Sequence, residues 1–219
     1  MSLKEQLAEY RAGWYKRVPP ERQAIMERHI AQLRTGAIQH TMLKVGDKAP
    51  SIVLGNAKGE RVDVGALLKK GPVIVTFYRG GWCPYCNIEL KAFQDVLPQI
   101  TAAGASLVAI SPEKPDDSLS TAEKNALTFE VLSDVGHEVG RAFGLVYEFT
   151  NELRGAYENF GLDIPAKNGT PGQWALPVSA TYVIDANGTI IYAYTDADYR
   201  DRADPKDVLA VLARRAAAA

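Results

Sequence analysis

Two cysteines are the residues of this chain best suited to chemistry. Cys83 and Cys86 are its only cysteines, and they lie in the segment Gly-Gly-Trp-Cys-Pro-Tyr-Cys. Pro84 favours the first position of a helix, where its missing N–H costs nothing, so we predict that Cys83 caps a helix and that Cys86 lies one turn inside it. Residues three apart share one side of a helix, which places the two sulfurs close enough to form a disulfide.

The predicted position of Cys83 favours a reactive sulfur. Unpaired backbone N–H groups and the positive end of the helix dipole both stabilise a thiolate, which is the nucleophilic form of cysteine. Inert buried cysteines and half of a metal site are the two other interpretations of this spacing. A metal would need further ligands, and His29, His40 and His137 lie at no ligand spacing. We therefore expect redox chemistry without a metal or a cofactor.

Composition argues against several classes of partner. The chain has 219 residues, enough for one domain with an extension, and its 25 Lys and Arg residues nearly balance its 26 Asp and Glu residues. Because no basic run stands out, neither nucleic acid nor an anionic membrane is an expected partner. No segment has the pattern of a signal peptide or of a membrane span. We expect a cytoplasmic protein, in which two cysteines fit a reactive pair better than a structural disulfide.

The cysteines lie between a predicted strand and a predicted helix. Residues 73–78 are a β-branched and aromatic run that is typical of a strand buried on both faces. Two glycines then permit a tight turn. Apolar residues recur at helical spacing over 88–100, with Glu89 assigned to the opposite, polar face. A second apolar strand at 106–110 completes a βαβ unit.

The remaining elements follow the order of a thioredoxin-like fold. We predict two helices within 1–42, a hairpin of 51–54 with 61–64, a helix at 116–126, a strand at 129–132, a helix at 138–143, a hairpin of 180–184 with 189–194, and a helix at 205–215. The fold class is α/β, a central mixed sheet flanked by helices. The predicted units are a helical extension, 1–42, and a thioredoxin-like domain, 43–219.

Two stretches allow more than one interpretation. The apolar stripe of the first helix, which includes Leu7 and Trp14, is either a core contact or an interface in a possible homodimer. Residues 144–177 are an aromatic-rich insertion before the final hairpin, with one short helix near 151–158. Its aromatic side chains either patch the core or roof the cysteine site.

The segment around the cysteines resembles a known family. Residues 78–90, Tyr-Arg-Gly-Gly-Trp-Cys-Pro-Tyr-Cys-Asn-Ile-Glu-Leu, are similar to the active-site segment of peroxiredoxin-like proteins of the alkyl hydroperoxide reductase/thiol-specific antioxidant family. Residues 176–185 and 198–202 resemble later segments of the same family, and the likeness covers roughly 43–215. The Cys-Pro-Tyr-Cys tetrapeptide also matches that of glutaredoxins.

The resemblance implies a two-cysteine peroxidase. Cys83 would attack hydrogen peroxide or an alkyl hydroperoxide and become a sulfenic acid, and Cys86 would condense with it to a disulfide. Thioredoxin, glutaredoxin or glutathione would then reduce that disulfide. Two alternatives remain: a thiol–disulfide oxidoreductase of thioredoxin or glutaredoxin type without strong peroxidase activity, and a non-catalytic redox-sensing module.

The chain departs from the family pattern at three positions. Thr76 stands where typical members carry proline, Gly80 where they carry threonine or serine, and Ser179 where they carry arginine. Arg79 is therefore the candidate for the missing catalytic charge; alternatively it is a solvated turn residue, and Arg200 or Arg202 reaches the site. The candidate substrate-pocket residues are Thr76, Tyr78, Gly80, Trp82 and Thr181.

Overall fold

A seven-stranded mixed sheet forms the centre of the molecule, as the computed structural model of residues 1–217 shows. Within these residues the strands are β1 (Val53–Asn56), β2 (Arg61–Asp63), β3 (Val73–Phe77), β4 (Ser106–Ser111), β5 (Glu130–Ser133), β6 (Val146–Glu148), β7 (Ala175–Pro177), β8 (Ala180–Ile184) and β9 (Ile190–Thr195). The order in the large sheet is β2-β1-β5-β4-β3-β8-β9, while β6 and β7 form a separate pair.

Ten helices accompany the sheet in residues 1–217, and the first three precede its first strand in the sequence. They are α1 (Leu3–Arg17), α2 (Pro20–Thr35), α3 (Ile38–Thr41), α4 (Val64–Leu68), α5 (Pro84–Ala102), α6 (Pro115–Lys124), α7 (Glu138–Ala142), α8 (Asn151–Asn159), α9 (Ile164–Asn168) and α10 (Pro205–Ala217). The predicted fold class and the predicted order of the main elements are confirmed. No helix in residues 1–217 combines the length and apolarity that crossing a bilayer requires.

Strand β3 holds the cysteine helix in place. It pairs in parallel with β4 and antiparallel with β8, and all five of its residues are buried. The predicted βαβ unit therefore consists of β3, α5 and β4, with α5 starting just beyond the end of a strand buried on both faces. Such a strand is a rigid base for the turn that carries the cysteines.

The prediction for residues 144–177 is wrong in one respect. The predicted helix is α8, but the segment also contains α9 and the antiparallel pair of β6 with β7. Each of these two strands has three residues, too few to show the alternation that reveals a strand in a sequence. Helix α9 is a single turn, capped by the Asp163 side chain, which accepts a hydrogen bond from the Ala166 N–H at 3.0 Å.

The prediction that Glu89 lies on a polar face of α5 is also wrong. Its side chain is buried and bonded to Arg202, 113 residues further along the chain. Helical periodicity assigns a carboxylate to solvent, because it carries no information on a partner so distant in sequence.

The N-terminal helices pack onto the domain. Leu3 and Leu7 of α1 are buried in one cluster with both cysteines, so the apolar stripe of α1 is a core contact. The Thr41 hydroxyl donates to the Gly144 carbonyl at 2.8 Å, which joins the end of α3 to the loop after α7. The division of the chain at 42 and 43 stays a prediction, and residues 218–219 of the predicted domain lie outside the described part.

Replacing Gly144 by alanine tests how closely these parts dock. Gly144 has a φ of +70°, and an added Cβ would lie 1.9 Å from the Thr41 carbonyl oxygen. Left-handed backbone costs a non-glycine residue about 1 kcal/mol, and the contact with the Thr41 backbone adds to it. We expect Gly144→Ala to lower the free energy of unfolding by about 2 kcal/mol or more in urea denaturation.

Gly155→Ala is the matched control. Gly155 lies within α8, and a Cβ there would meet open space. Alanine favours the helix by about 0.5 to 1 kcal/mol over glycine, so this variant should be neutral or more stable. Equal losses of stability in the two variants would contradict the close approach of Gly144 to Thr41.

Candidate active site

The turn between β3 and α5 places Cys83 at the start of the helix. Cys83 is the N-cap of α5, with φ −89° and ψ 113°, and Pro84 is the first helical residue. Gly80 has a φ of +149°, and an added Cβ would lie 2.3 Å from the Trp82 indole nitrogen. Glycine is thus required at position 80 by both backbone conformation and space. Cys83 and Cys86 are free thiols, and both are buried.

Arg79 brings a buried positive charge to Cys83. Its Nη1 lies 3.9 Å from the Cys83 sulfur, and only 2% of the residue is exposed. The guanidinium lies over the Tyr199 ring, 4.0 Å from its centroid, and also faces Trp82 and Tyr157. Three aromatic rings therefore surround a charged group that is almost wholly buried. The structure places Arg79 inside the site and not in solvent.

The environment of Cys83 favours its thiolate. Burial alone would raise the pKa of the Cys83 thiol, but the Cys86 side chain and the charges of Arg79 and Arg202 lower it well below its ordinary value. A thiolate stabilised in this way is present at neutral pH, so Cys83 meets the first requirement for a nucleophile.

Arg202 contacts the sulfur of Cys86. Its Nη2 donates to the Cys86 sulfur at 3.4 Å, and its Nη1 donates to Glu89 Oε2 at 2.6 Å. Two further N–H groups reach the Tyr199 carbonyl, from Nε at 2.8 Å and from Nη2 at 2.6 Å. Burial and the neighbouring Cys83 raise the pKa of Cys86 well above its ordinary value, and Arg202 opposes that rise. The two cysteines therefore differ: one favours the thiolate and the other the thiol.

Two threonines lie behind Glu89. Thr76 of β3 and Thr181 of β8 are register partners, and their hydroxyl oxygens are 3.1 Å apart in the buried sheet. Thr181 also donates to Glu89 Oε1 at 3.5 Å. Ser179, which stands at the family's arginine position, is buried too. Thr181 thereby adjoins the Glu89–Arg202 pair, whereas the residues that line the space beside Cys83 include neither threonine nor Ser179.

A cavity of about 210 Å³ opens onto Cys83. Trp82 and Tyr199 line it next to the sulfur, whereas Tyr78 is buried behind the two cysteines. Six residues of the N-terminal helices and of the insertion complete the wall: Tyr10, Trp14, Met26, Tyr157, Phe160 and Leu162. Both interpretations of the insertion apply, because Tyr157 and Phe160 roof the site while Phe149 and Trp174 pack against the core.

An ionic cluster fixes the segment that carries Tyr199 and Arg202. The Arg200 guanidinium donates to both carboxylate oxygens of Asp198, at 2.7 and 2.8 Å, and to Glu27 Oε2 of α2 at 3.0 Å. Arg11 of α1 also donates to Asp198, at 3.4 Å. Helices α1 and α2 are thereby tied to the segment that reaches both cysteines.

Glu89 is the site residue for which the sequence analysis gave no role, and Arg202 appeared there only as an alternative. One signal was available for Glu89: Cys83, Cys86 and Glu89 are spaced by three residues and share a helix side. Nothing in the sequence separates Arg200 from Arg202, since two positions alone do not tell which guanidinium points inward.

A family model described as the AhpC/TSA family matches residues 45–193 of the chain. A putative peroxiredoxin of Mycobacterium tuberculosis is 32% identical over 153 residues, which are 70% of this chain and 85% of that protein. Peroxiredoxin Bcp of Escherichia coli K12 is 34% identical over 103 residues, covering 47% of this chain and 65% of that one.

Solved structures share the fold at low sequence identity. Peroxidoxin BcpB of Mycobacterium tuberculosis gives a TM-score of 0.62 at 22% identity, over 78% of this chain and 97% of that one. Reduced Prx3 of Vibrio vulnificus, solved in complex with hydrogen peroxide, gives a TM-score of 0.62 at 17% identity, over 80% of this chain and 98% of that one. The family match excludes α1, α2 and the segment with Tyr199 and Arg202, which all contribute to the site.

The difference between the two thiols predicts the order of their modification. We expect iodoacetamide to alkylate Cys83 before Cys86 at neutral pH, because the thiolate is the reacting form and the pKa of Cys83 is the lowered one. Peptide mapping after short labelling times measures this order. Faster labelling of Cys86 would contradict the assignment of the thiolate to Cys83.

The same labelling reaction tests the contribution of Arg79. In a Cys86→Ser protein, which keeps one thiol, the pH midpoint of labelling reports the pKa of Cys83. We expect Arg79→Ala to raise that midpoint by about one unit or more, since the guanidinium 3.9 Å from the sulfur is lost. Arg141→Ala, which removes a half-exposed arginine paired with Glu148, should leave the midpoint unchanged.

Proposed function

The chain belongs to the AhpC/TSA family and is a thiol-dependent peroxidase, and from this premise we propose that Cys83 reacts with the peroxide and Cys86 closes a disulfide with it. The observation that carries this assignment is the buried Arg79 guanidinium beside the Cys83 sulfur. A cation at that position favours the attacking thiolate and can also donate to the peroxide oxygens.

The proposed cycle has three steps. The Cys83 thiolate attacks the hydroxyl oxygen of the peroxide and the O–O bond breaks, which converts Cys83 to a sulfenic acid. The departing hydroxide or alkoxide takes up one proton and leaves as water or an alcohol. Cys86 then attacks the Cys83 sulfur, and water leaves as the S–S bond forms. An external thiol of thioredoxin, glutaredoxin or glutathione type reduces the disulfide by exchange and restores both thiols.

Peroxide treatment of single-cysteine variants tests the cycle. One equivalent of hydrogen peroxide should convert the wild-type chain to a species lighter by two hydrogens, with both thiols lost and no disulfide between two chains. Cys86→Ser should stop at a sulfenic acid on Cys83, which dimedone traps for mass spectrometry, and Cys83→Ser should show no rapid thiol loss. Arg79→Ala should slow the first step by about 10²-fold, the usual effect of losing one contact made in the transition state.

Free thiols that persist in the wild-type protein after peroxide treatment would overturn the proposed cycle. If the same protein then exchanged rapidly with a disulfide substrate, the thiol–disulfide oxidoreductase alternative would hold instead. The two outcomes are separated by running both assays on one preparation.

We further propose that the preferred substrate is an organic hydroperoxide with a compact apolar body. The cavity beside Cys83 has walls of aromatic and aliphatic side chains, and Arg79 supplies the charge next to the sulfur. An apolar substituent gains by leaving water for such walls, whereas hydrogen peroxide has no surface to bury there. Helices α1 and α2 contribute Tyr10, Trp14 and Met26 and so set the size of the space.

Replacing Trp14 tests this preference. We expect Trp14→Ala to lower kcat/KM for cumene hydroperoxide about tenfold and to change kcat/KM for hydrogen peroxide far less, because only the first substrate uses the apolar wall. The readout is the ratio of the two constants. Trp174→Ala, an aromatic of the insertion outside the cavity wall, is the control. An unchanged ratio in Trp14→Ala would contradict the proposal.

A cytoplasmic location and a possible homodimer complete the proposal. Two free cysteines suit a reducing compartment. Strand β9 is an edge strand of the large sheet, and its outer side beyond Ile190, whose backbone bonds to Gly46 and Asp47, is the side that a second copy could pair with. Sedimentation velocity decides between a monomer and a dimer.

A further inference from the structure

We infer that Arg202 is a second catalytic arginine, which activates Cys86 for attack on oxidised Cys83, and that Glu89 is the residue that positions it. This inference rests on the proposed function, in which Cys86 closes the disulfide. It gives each sulfur its own guanidinium: Arg79 for the step with peroxide, and Arg202 for the step that forms the S–S bond.

The contacts of Arg202 leave it little freedom. One nitrogen reaches the Cys86 sulfur at 3.4 Å, a second reaches Glu89 at 2.6 Å, and the Tyr199 carbonyl accepts from two nitrogens. The side chains of Arg202 and Glu89 are 1% and 3% exposed. A buried arginine with four of its five N–H groups directed to three partners holds one orientation, and the partner among them that takes part in the chemistry is the Cys86 sulfur.

The charge on Cys83 determines when Cys86 can ionise. While Cys83 is a thiolate, a second negative sulfur one turn away is unfavourable; burial and Cys83 both raise the pKa of Cys86, and Arg202 lowers it. Reaction with peroxide converts Cys83 to a neutral sulfenic acid. The repulsion then disappears while the Arg202 contact remains. The pKa of Cys86 therefore falls only after Cys83 has been oxidised.

The step itself balances without a further reagent. Cys86 loses its thiol proton, and its sulfur forms a bond to the Cys83 sulfur as the S–O bond of the sulfenic acid breaks. The departing oxygen keeps its own hydrogen, takes up one proton and leaves as water. Arg202 stays protonated throughout and stabilises the negative charge that develops on Cys86.

Glu89 acts through Arg202. The other carboxylate oxygen of Glu89 accepts a hydrogen bond from Thr181. The remaining titratable neighbours of Glu89 are Cys86 on the same helix and Tyr192 and Tyr194 on β9. Burial raises the pKa of Glu89 to about 7, although Arg202 opposes that rise. Below this pH the carboxyl gains a proton and no longer holds Arg202 by charge, so disulfide formation should slow as the pH falls through about 7.

Rapid mixing with hydrogen peroxide separates the two steps. Sulfenic acid formation depends on peroxide concentration, with a second-order constant k1, whereas disulfide formation follows with a first-order constant k2. We expect Arg202→Lys and Glu89→Gln each to lower the ratio of k2 to k1 about tenfold or more, since each change removes or weakens the charged contact that orients the guanidinium toward Cys86. Arg202→Lys keeps the positive charge, so a fall in k2 in this variant measures the contribution of the guanidinium geometry. The Glu89→Gln protein should also lose the dependence of k2 on pH near 7.

Arg215→Lys is the matched control. Arg215 pairs with Asp185 at 2.8 Å on the surface, and its replacement should leave both constants unchanged. If the ratio of k2 to k1 in Arg202→Lys and in Glu89→Gln equals that of the wild type, the inference is overturned. If the wild-type protein shows no peroxide-dependent phase at all, the proposed function fails instead, so the two failures are distinguishable.

A second measurement needs neither peroxide nor Glu89→Gln. In a Cys83→Ser protein the negative sulfur is replaced by a neutral hydroxyl, as in the oxidised state. We expect the pH midpoint of iodoacetamide labelling of Cys86 to lie lower in this protein than in the wild type, and Arg202→Lys to raise it again by about one unit. Midpoints that do not respond to Arg202→Lys would overturn the role of Arg202, whatever the folding of the Glu89 variant.

Discussion

A negative sulfur buried away from water is unfavourable unless a positive charge lies beside it. Cys83 is buried, so its thiolate depends on the Cys86 side chain and on positive charge, of which the Arg79 guanidinium 3.9 Å away is the nearest source. Arg79 is buried as well and has aromatic rings around it in place of a carboxylate partner, which leaves its charge free to act on the sulfur.

This requirement explains why distant parts of the chain meet at one helix start. Tyr199 covers Arg79, and its carbonyl holds Arg202, so one residue supports both guanidinium groups. The segment that carries Tyr199 is in turn held by Arg200, which joins Asp198 to Glu27 of α2. The N-terminal helices are therefore part of the candidate site, because they line its cavity and anchor the segment that carries Arg202.

The sequence predicts the parts of the site that depend on local rules. A proline after Cys83, a buried strand before it and glycine at the turn are enough to place the cysteines at a helix start, and the structure agrees. The burial of Glu89 could not be predicted in this way, since a carboxylate on a helix is assigned to solvent unless its partner is known. The partner, Arg202, lies 113 residues away, and only tertiary packing brings the two together. The pair of β6 with β7 was missed for a similar reason, as three-residue strands form because of their partner and not because of their own pattern.

Two of the departures from the family pattern, at positions 76 and 179, fit one rearrangement of charge and hydrogen bonding. With serine at position 179, strand β8 brings no guanidinium to the site, and Thr181 on that strand bonds to Glu89 and to Thr76. Glu89 thereby has a hydroxyl on one oxygen and Arg202 on the other, which allows a carboxylate to stay in the core. The two positive charges come from the turn before Cys83 and from the segment after β9. Each arginine faces a different sulfur, so the site can favour ionisation of one cysteine without ionising both.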